Sequence, residues 1–424
     1  MVTRVGQVTD GGGVEETHHP EAERHASWAE LFFDLVVVAG VATLAHVVAG
    51  HPDARSLGLF AVLFLAFWLA WTTFMLYGNV AAGSTRVVRM LVGMFGLGVM
   101  AASVPGIGHT VLEDGHASHA LNAFAIAYVA ARIFGSQSWR RGEILLDFPV
   151  AQHTAGALPW LVSVFVHDEH WKVALWALGV AIDLLMMLAV SGDEMLERYQ
   201  ERFDEGMRKI ESGERRAPRG RAGSGRRVSL TGVTVDPVHL AERLGLFVII
   251  VLGEGVVQIV EAASEADYNR GLFAAGLASF VLLAGMFGLS VLYGHAGVPH
   301  LRGGALSVRV GLVLHLLVSG IIACVAVSLA AVVEHGTEPL DDPLRWLLCG
   351  SVAAYFATGL AAAVVARGWR PAAIAVWVST GVGAPLVLGV VAAEVQGTAL
   401  VTYVALVVVG HVLAERRAEV GSGG

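Results

Sequence analysis

Apolar runs long enough to cross a bilayer recur along the whole chain, separated by short turns rich in polar residues, glycine or proline. A hydrocarbon core of about 30 Å needs about 20 apolar residues per helix, and twelve segments of that kind can be read. The first six cover 28–49, 57–79, 87–108, 118–138, 143–166 and 171–190; the second six cover 241–262, 271–293, 308–333, 344–366, 372–393 and 399–415. The predicted fold class is all-α: a polytopic membrane protein of about twelve transmembrane helices. A polar tail (1–27) leads into a first six-helix membrane half (28–190). A charged linker (191–240), a second membrane half (241–415) and a short tail (416–424) follow. An even number of helices per half is compatible with two parallel repeats about an axis along the membrane normal. Setting LFFDLVVVAG (31–40) over LGLFVIIVLG (244–253) places Gly40 over Gly253 with an apolar run between.

Composition agrees with that pattern. With 55% hydrophobic and only 15% charged residues, the 424-residue length counts helices, not soluble domains. Arginine sorts the loops by side. Arg4, Arg24, Arg86, Arg89, Arg140, Arg141, Arg302, Arg309, Arg367, Arg370, Arg416 and Arg417 fall at the ends and in the even-numbered loops, while the opposite loops carry acids such as Glu113, Asp114, Asp168 and Glu169. Basic residues resist translocation, so both termini are expected in the cytoplasm. The tail before the first helix lacks a basic-then-apolar cleavable pattern, so that helix is expected to serve as an uncleaved insertion signal. The linker, with ERRAPRGRAGSGRR at its centre, reads as a solvated segment that fixes topology, or as a charge-based contact to anionic lipid or a partner; its first part is expected to extend the sixth helix.

Several chemistries are excluded. The two cysteines, Cys324 and Cys349, lie in apolar runs with no metal or redox spacing and read as packing residues. The lysines Lys172 and Lys209 both lie away from mid-membrane, which rules out a retinal-type Schiff base. No Walker, GxSxG, HExxH or dinucleotide fingerprint lies in a soluble context, so no cofactor is expected and no catalytic residue is assigned. His116 and His119 beside Glu113 and Asp114 have a spacing that could catch a surface metal, but a solvated loop is the simpler reading, and no metal is assigned. The lipid bilayer is the expected partner and nucleic acid is not. A homo-oligomer is compatible with the sequence.

The candidate chemistry lies in charges inside the apolar runs. WAELFFDLVVV (28–38) puts Glu30 and Asp34 on one helical face. A carboxylate at the centre of a spanning helix costs about 3 kcal/mol on insertion scales, so each one needs a reason. At about 1.5 Å per residue, Asp34, Asp147 and Asp183 fall about 6–10 Å in from the cytoplasmic ends of the first, fifth and sixth helices, with Arg132 of the fourth helix in the same layer. Glu30 is shallower, and Glu254 lies past the midplane with Gln258 at i+4. Two readings stay open. Arg132 and Arg243 pair with the acids and lock helices together, or a carboxylate without a cation lines a water-filled path and carries a proton or small cation. His153 follows Asp147 on a segment with Pro149, Gln152, Gly156 and Pro159, expected to be a kinked helix and a candidate pathway, or else an ordinary proline bend. His46 and His315 read as structural.

Two stretches together resemble a known family: ELFFDLVVV in the first span, with Glu30, Phe32, Phe33 and Asp34, and HLAERLGLFVIIVLGEGVV (239–257), with His239, Glu242, Arg243, Phe247, Gly253 and Glu254. They resemble the motifs of the low temperature requirement protein A family of bacterial membrane proteins. The resemblance implies a multi-pass protein of the bacterial cell membrane over essentially the whole chain, and its name records a cold-growth phenotype without a reaction.

From the residues, the expected function is a secondary transporter or channel for protons or a small cation. Its relay candidates are Glu30, Asp34, Asp147, His153, Asp183 and Glu254, with Arg132 and Arg243 as charge partners. The alternatives are a membrane-embedded lipid-handling enzyme using Asp147 and His153 as acid and base, or a cold-stress scaffold acting through the linker.

Overall fold

The first helix starts on a signal visible in the chain, Ser27 three residues before Glu30. The Glu30 N–H donates to Ser27 Oγ at 3.4 Å, and the Glu30 carboxylate accepts the Ser27 N–H at 2.8 Å. This reciprocal cap satisfies two otherwise orphaned backbone donors and opens α1 (Trp28–Gly50). In the computed structural model, which describes residues 27–81, 87–113, 118–136, 143–212, 231–295, 304–335, 338–367 and 371–422, α1 is followed by α2 (Ala54–Ala81), α3 (Val87–Leu112) and α4 (Ser118–Ser136). Next come strand β1 (Glu143–Leu145), a short α5 (Ala157–Ser163), α6 (Glu169–Ala189), α7 (Gly192–Glu211) and strand β2 (Thr231–Val233). The second half holds α8 (Pro237–Glu265), α9 (Arg270–Phe287, continued by a π-turn at Gly288–Leu292), α10 (Val308–His335) and α11 (Asp342–Arg367). It ends with α12 (Pro371–Trp377), a π-turn at Val378–Gly383, α13 (Ala384–Val391) and α14 (Gly397–Ser422).

Ten helical stretches among the described residues are long and apolar enough to cross a membrane, α12 to α13 counting as one. They coincide with ten of the segments read from the sequence. The fourth segment, 118–138, is the helix α4, which carries Arg132 and falls outside that set.

The expected helix over 143–166 does not form. The chain there runs as β1, a 3-10 turn at Pro149–Gln152, extended residues, and the short α5. Two prolines and Gly156 explain this, since each proline removes a backbone donor and its ring clashes with the carbonyl four residues before. The freed groups find other partners: Leu145 N–H donates to the Gln152 side chain at 3.0 Å and Leu146 N–H to Val233 O at 2.9 Å. β1 and β2 pair in parallel, so the start of this segment is anchored to the residues just ahead of α8. Alongside, α5 runs back against α6, with Trp176 Nε1 donating to Ser163 Oγ at 2.9 Å.

The linker also differs from expectation. α7 does not extend α6: the chain breaks at Val190, whose carbonyl accepts from Arg309 Nη2 at 2.7 Å, and α7 packs on β1 and β2. Residues 213–230, with most of the basic run, lie outside the described residues.

α1, α2, α8 and α10 meet at the centre, and α2 is the most enclosed of the spanning helices. On one side α1 packs along α3, α3 along α4 and α4 on α5. On the other, α8 packs along α10, α10 along α11 and α11 on α13. Trp68, Trp71, Phe247 and His315 join α2, α8 and α10, with Trp68 Nε1 donating to His315 Nδ1 at 3.1 Å and the Trp71 and His315 rings stacked 5.5 Å apart. His315 is structural in this sense.

Close approach between α5 and α6 depends on Gly179. A Cβ there would sit 2.5 Å from the Gly156 carbonyl oxygen, a backbone atom that cannot move aside. Gly179→Ala is therefore expected to destabilise the protein by about 1–3 kcal/mol through overpacking, read as a drop in thermal unfolding temperature in detergent. Gly276→Ala, where nothing lies within 4 Å, is the control; equal unfolding temperatures for the two variants would refute this account of the α5–α6 packing.

Candidate functional site: two buried ionic clusters

The carboxylates of α1 meet the second sequence motif. Asp34 Oδ1 lies 2.6 Å from Arg243 Nη2 and Asp34 Oδ2 accepts from Arg243 Nε at 3.1 Å, a two-pronged contact. Trp71 Nε1 donates to Asp34 Oδ1 at 2.8 Å. One turn earlier, Glu30 Oε1 lies 3.2 Å from Arg243 Nη1 and 3.5 Å from His239 Nε2, and Arg243 Nη2 also donates to the Glu30 carbonyl at 3.2 Å. Glu30, Asp34, His239 and Arg243 are all buried, Arg243 at 0% exposure. The spacing is helical on both sides: residues four apart on α1 face residues four apart on α8. Glu30 lies in the first turn of α1, and its ion pair and the Ser27 cap hold it inside the protein.

The space for this cluster is provided by α2. A Cβ at Gly78 would lie 2.9 Å from Glu30 Oε1. The next residue, Asn79, clamps the start of α8: its Oδ1 accepts Asp236 N–H at 2.8 Å and its Nδ2 donates to Asp236 O at 3.1 Å. Asp236 in turn caps α8, accepting Val238 N–H at 2.9 Å and His239 N–H at 3.2 Å. Burial alone would raise the Asp236 carboxyl, but these N–H donors outweigh it and hold it below the usual carboxylate range. The sign follows: the cap's contribution is complete above the ordinary carboxylate pKa and is lost as pH falls through the lowered one.

A second cluster lies in the first half. Arg132 Nη2 is 3.2 Å from Asp183 Oδ2, Arg132 Nη1 donates to Thr73 Oγ1 at 2.7 Å, and Nη2 also reaches the carbonyls of His153 at 3.0 Å and Val150 at 3.4 Å. Tyr128 OH donates to Asp183 Oδ2 at 3.2 Å. One guanidinium thus neutralises an acid on α6 and satisfies carbonyls of the broken segment. Non-helical backbone at membrane depth requires that kind of internal partner.

The remaining candidates lie apart. Asp147 is not on a helix within the acidic layer: it follows β1, half-buried, and accepts Val235 N–H at 2.8 Å. The His153 ring, also off any helix, has Nε2 at 2.9 Å from Met195 Sδ. Asp147 and His153 therefore face different partners, and no acid–base pair forms between them. Glu254, half-buried on α8, accepts from Gln258 Nε2 at 3.3 Å and joins neither cluster. Gly253 is exposed with nothing within 4 Å of a Cβ, so close helix approach falls to Gly255, whose Cβ would meet Ala326 at 3.1 Å. Phe33 is buried against Phe74, Phe32 is exposed, and Glu242 is half-buried. His116 lies outside the described residues.

Trp71, Thr73 and Tyr128 were not anticipated as members of these clusters, and His239 was singled out only as a motif position. The signal was present for the first three as hydrogen-bonding side chains within apolar runs. The capping spacing of Ser27 and Glu30 was legible too.

An all-α bundle of long apolar helices, with its charges buried and paired inside, defines a multi-pass membrane protein. The family model of the bacterial low temperature requirement A protein (LtrA) matches residues 25–409, nearly the whole chain, and the chain belongs to that family. No curated protein and no solved structure matches it.

Arg243→Gln is expected to cost about 3–5 kcal/mol, since it leaves Asp34 in low dielectric without its cation. Asp34→Asn combined with Arg243→Gln should recover part of that loss. Thermal unfolding in detergent checks both; a double variant no more stable than Arg243→Gln alone would contradict the pairing.

Proposed function

We propose that this protein is a proton-dependent secondary transporter of the bacterial inner membrane, with twelve traverses, both termini in the cytoplasm and two parallel six-element repeats. The observation that carries the reading is a pair of interrupted segments that hold the fifth place in each half of the proposed layout. The fifth traverse (143–166) is broken around Pro149, Gly156 and Pro159, and the eleventh (371–391) is interrupted by a π-turn around Gly381, Gly383 and Pro385. Interrupted segments at corresponding positions of two halves are the structural mark of a transporter's working site, and π-turns inside helices concentrate at functional sites. The repeat is supported by the packing order, α1 on α3 on α4 against α8 on α10 on α11.

Within that reading the clusters divide the work. Arg132, Asp183 and Tyr128 organise the broken fifth crossing. Glu30 and His239 form the acid–base pair between the halves, where a proton shared between imidazole and carboxylate changes the charge seen by Arg243 and Asp34. No carboxylate without a cation is needed for this, because Arg243 as well as Arg132 lies in the protein interior.

A second reading is favoured by that same pairing. Glu30, Asp34 and Asp183 each lie within ion-pair distance of a guanidinium, as expected of locks in a rigid scaffold. Reconstitution decides. Liposomes holding the full chain and a trapped pH indicator, driven by a potassium diffusion potential, are expected to show proton entry above empty liposomes. His239→Gln, which keeps a polar side chain of similar reach, is expected to lower that entry about tenfold. Wild-type entry equal to empty liposomes, with the protein folded and inserted, would leave the scaffold reading.

A further inference from the structure

Where α6 gives way to α7, a cavity of about 250 Å³ is lined by His153, Met186, Met195, Arg198, Tyr199 and Arg202 among others. Its floor is apolar, made by the last turn of α6 and Met195, and its mouth carries two guanidiniums one helical turn apart. Arg198 has a loose ion pair with Glu194, a further lining residue, at 3.6 Å, whereas Arg202 has no acid within ion-pair distance among the described residues. Leu185, one turn before the lining residue Ala189 on α6, is exposed at 65%.

We propose that this cavity binds the phosphate headgroup of an anionic membrane phospholipid, with Arg198 and Arg202 on the phosphate, Tyr199 at the mouth and the acyl chains descending along Leu185. The two guanidiniums complement a phosphate's charge where the long apolar helix α6 ends. Paired arginines suit a phosphate's oxygens, and basic side chains at the membrane surface draw anionic lipid. The apolar floor at the end of a spanning helix distinguishes a lipid from a soluble anion, which would gain nothing from Met186 and Met195. The site also touches the interior. His153, whose ring lines the cavity, is the residue whose carbonyl is held by Arg132 at 3.0 Å. A bound headgroup therefore contacts the broken segment whether or not that segment takes part in transport.

The test uses the delipidated full chain in a neutral detergent, titrated with fluorescently labelled phosphatidylglycerol and, separately, labelled phosphatidylcholine, with binding followed by anisotropy. Phosphatidylglycerol is expected to bind about tenfold more tightly, and Arg198→Gln with Arg202→Gln should bring it to the phosphatidylcholine level. Met195→Trp, which fills the floor while leaving both arginines in place, is expected to weaken both lipids and covers the case in which the double variant misfolds. Equal affinity of the two lipids for the wild type, or a preference that survives the double variant, would overturn the proposal. So would inorganic phosphate binding as tightly as phosphatidylglycerol, which would leave the apolar floor without effect and assign the cavity to a soluble anion.

Discussion

The arrangement of the two halves depends on the pairing of Asp34 and Glu30 with Arg243. Charges taken out of water are tolerated only when their partners are close and well oriented, and a planar guanidinium presents enough donors to serve two carboxylates and a carbonyl at once. That requirement fixes α1 against α8 in register, because a shift of one residue on either helix would turn the pair away from each other. It also explains why α2 is small where it passes Glu30, at Gly78, and why Trp71 offers its indole N–H to Asp34 and not to solvent. The clamp of Asn79 on Asp236 continues the same seam toward the start of α8.

Arg132 solves a related problem with different groups. The segment bearing Pro149 and Pro159 does not complete a helix, yet its carbonyls at Val150 and His153 are turned to the protein interior, where Arg132 meets them. One arginine meets both carbonyls and Asp183 together. The charge of Asp183 keeps the guanidinium from being buried without an anion, and the guanidinium keeps the broken backbone from being buried without a donor. Each element makes the other admissible.

How much of this could be read in the chain depended on distance along it. Ten spanning stretches follow from local apolarity alone. The capping pair of Ser27 and Glu30 is local as well, as is the i+4 contact of Glu254 with Gln258. The broken fifth segment was half legible: its prolines signalled a kink, but whether helix resumed between them depended on β2 and Arg132, which lie far away in sequence. Asp147 was misplaced for that reason, since counting residues inward assumes a regular rise that the segment lacks. The partner of Asp34 lies 209 residues away, and nothing in the spacing of either motif identifies it. The two short stretches, 30–38 and 239–257, turn out to be the two sides of a single contact.

Both clusters tie helices that belong to different parts of the chain, and this constrains any movement the bundle makes. Drawing Asp34 away from Arg243 would strand charges in a medium that solvates them poorly, so α1 and α8 are expected to move together, as are α4 and α6 around Arg132 and Asp183. The elements held by weaker means are different ones. The π-turn at Val378–Gly383 is held by Trp377 Nε1 donating to Phe356 O at 3.0 Å and by Thr380 Oγ1 at 3.0 Å from His411 Nε2, neutral contacts that can be remade at little loss. Ionic seams therefore define the rigid frame, the broken segment at 143–166 included, while the π-turn at Val378–Gly383 lies outside both seams and is where the backbone can change.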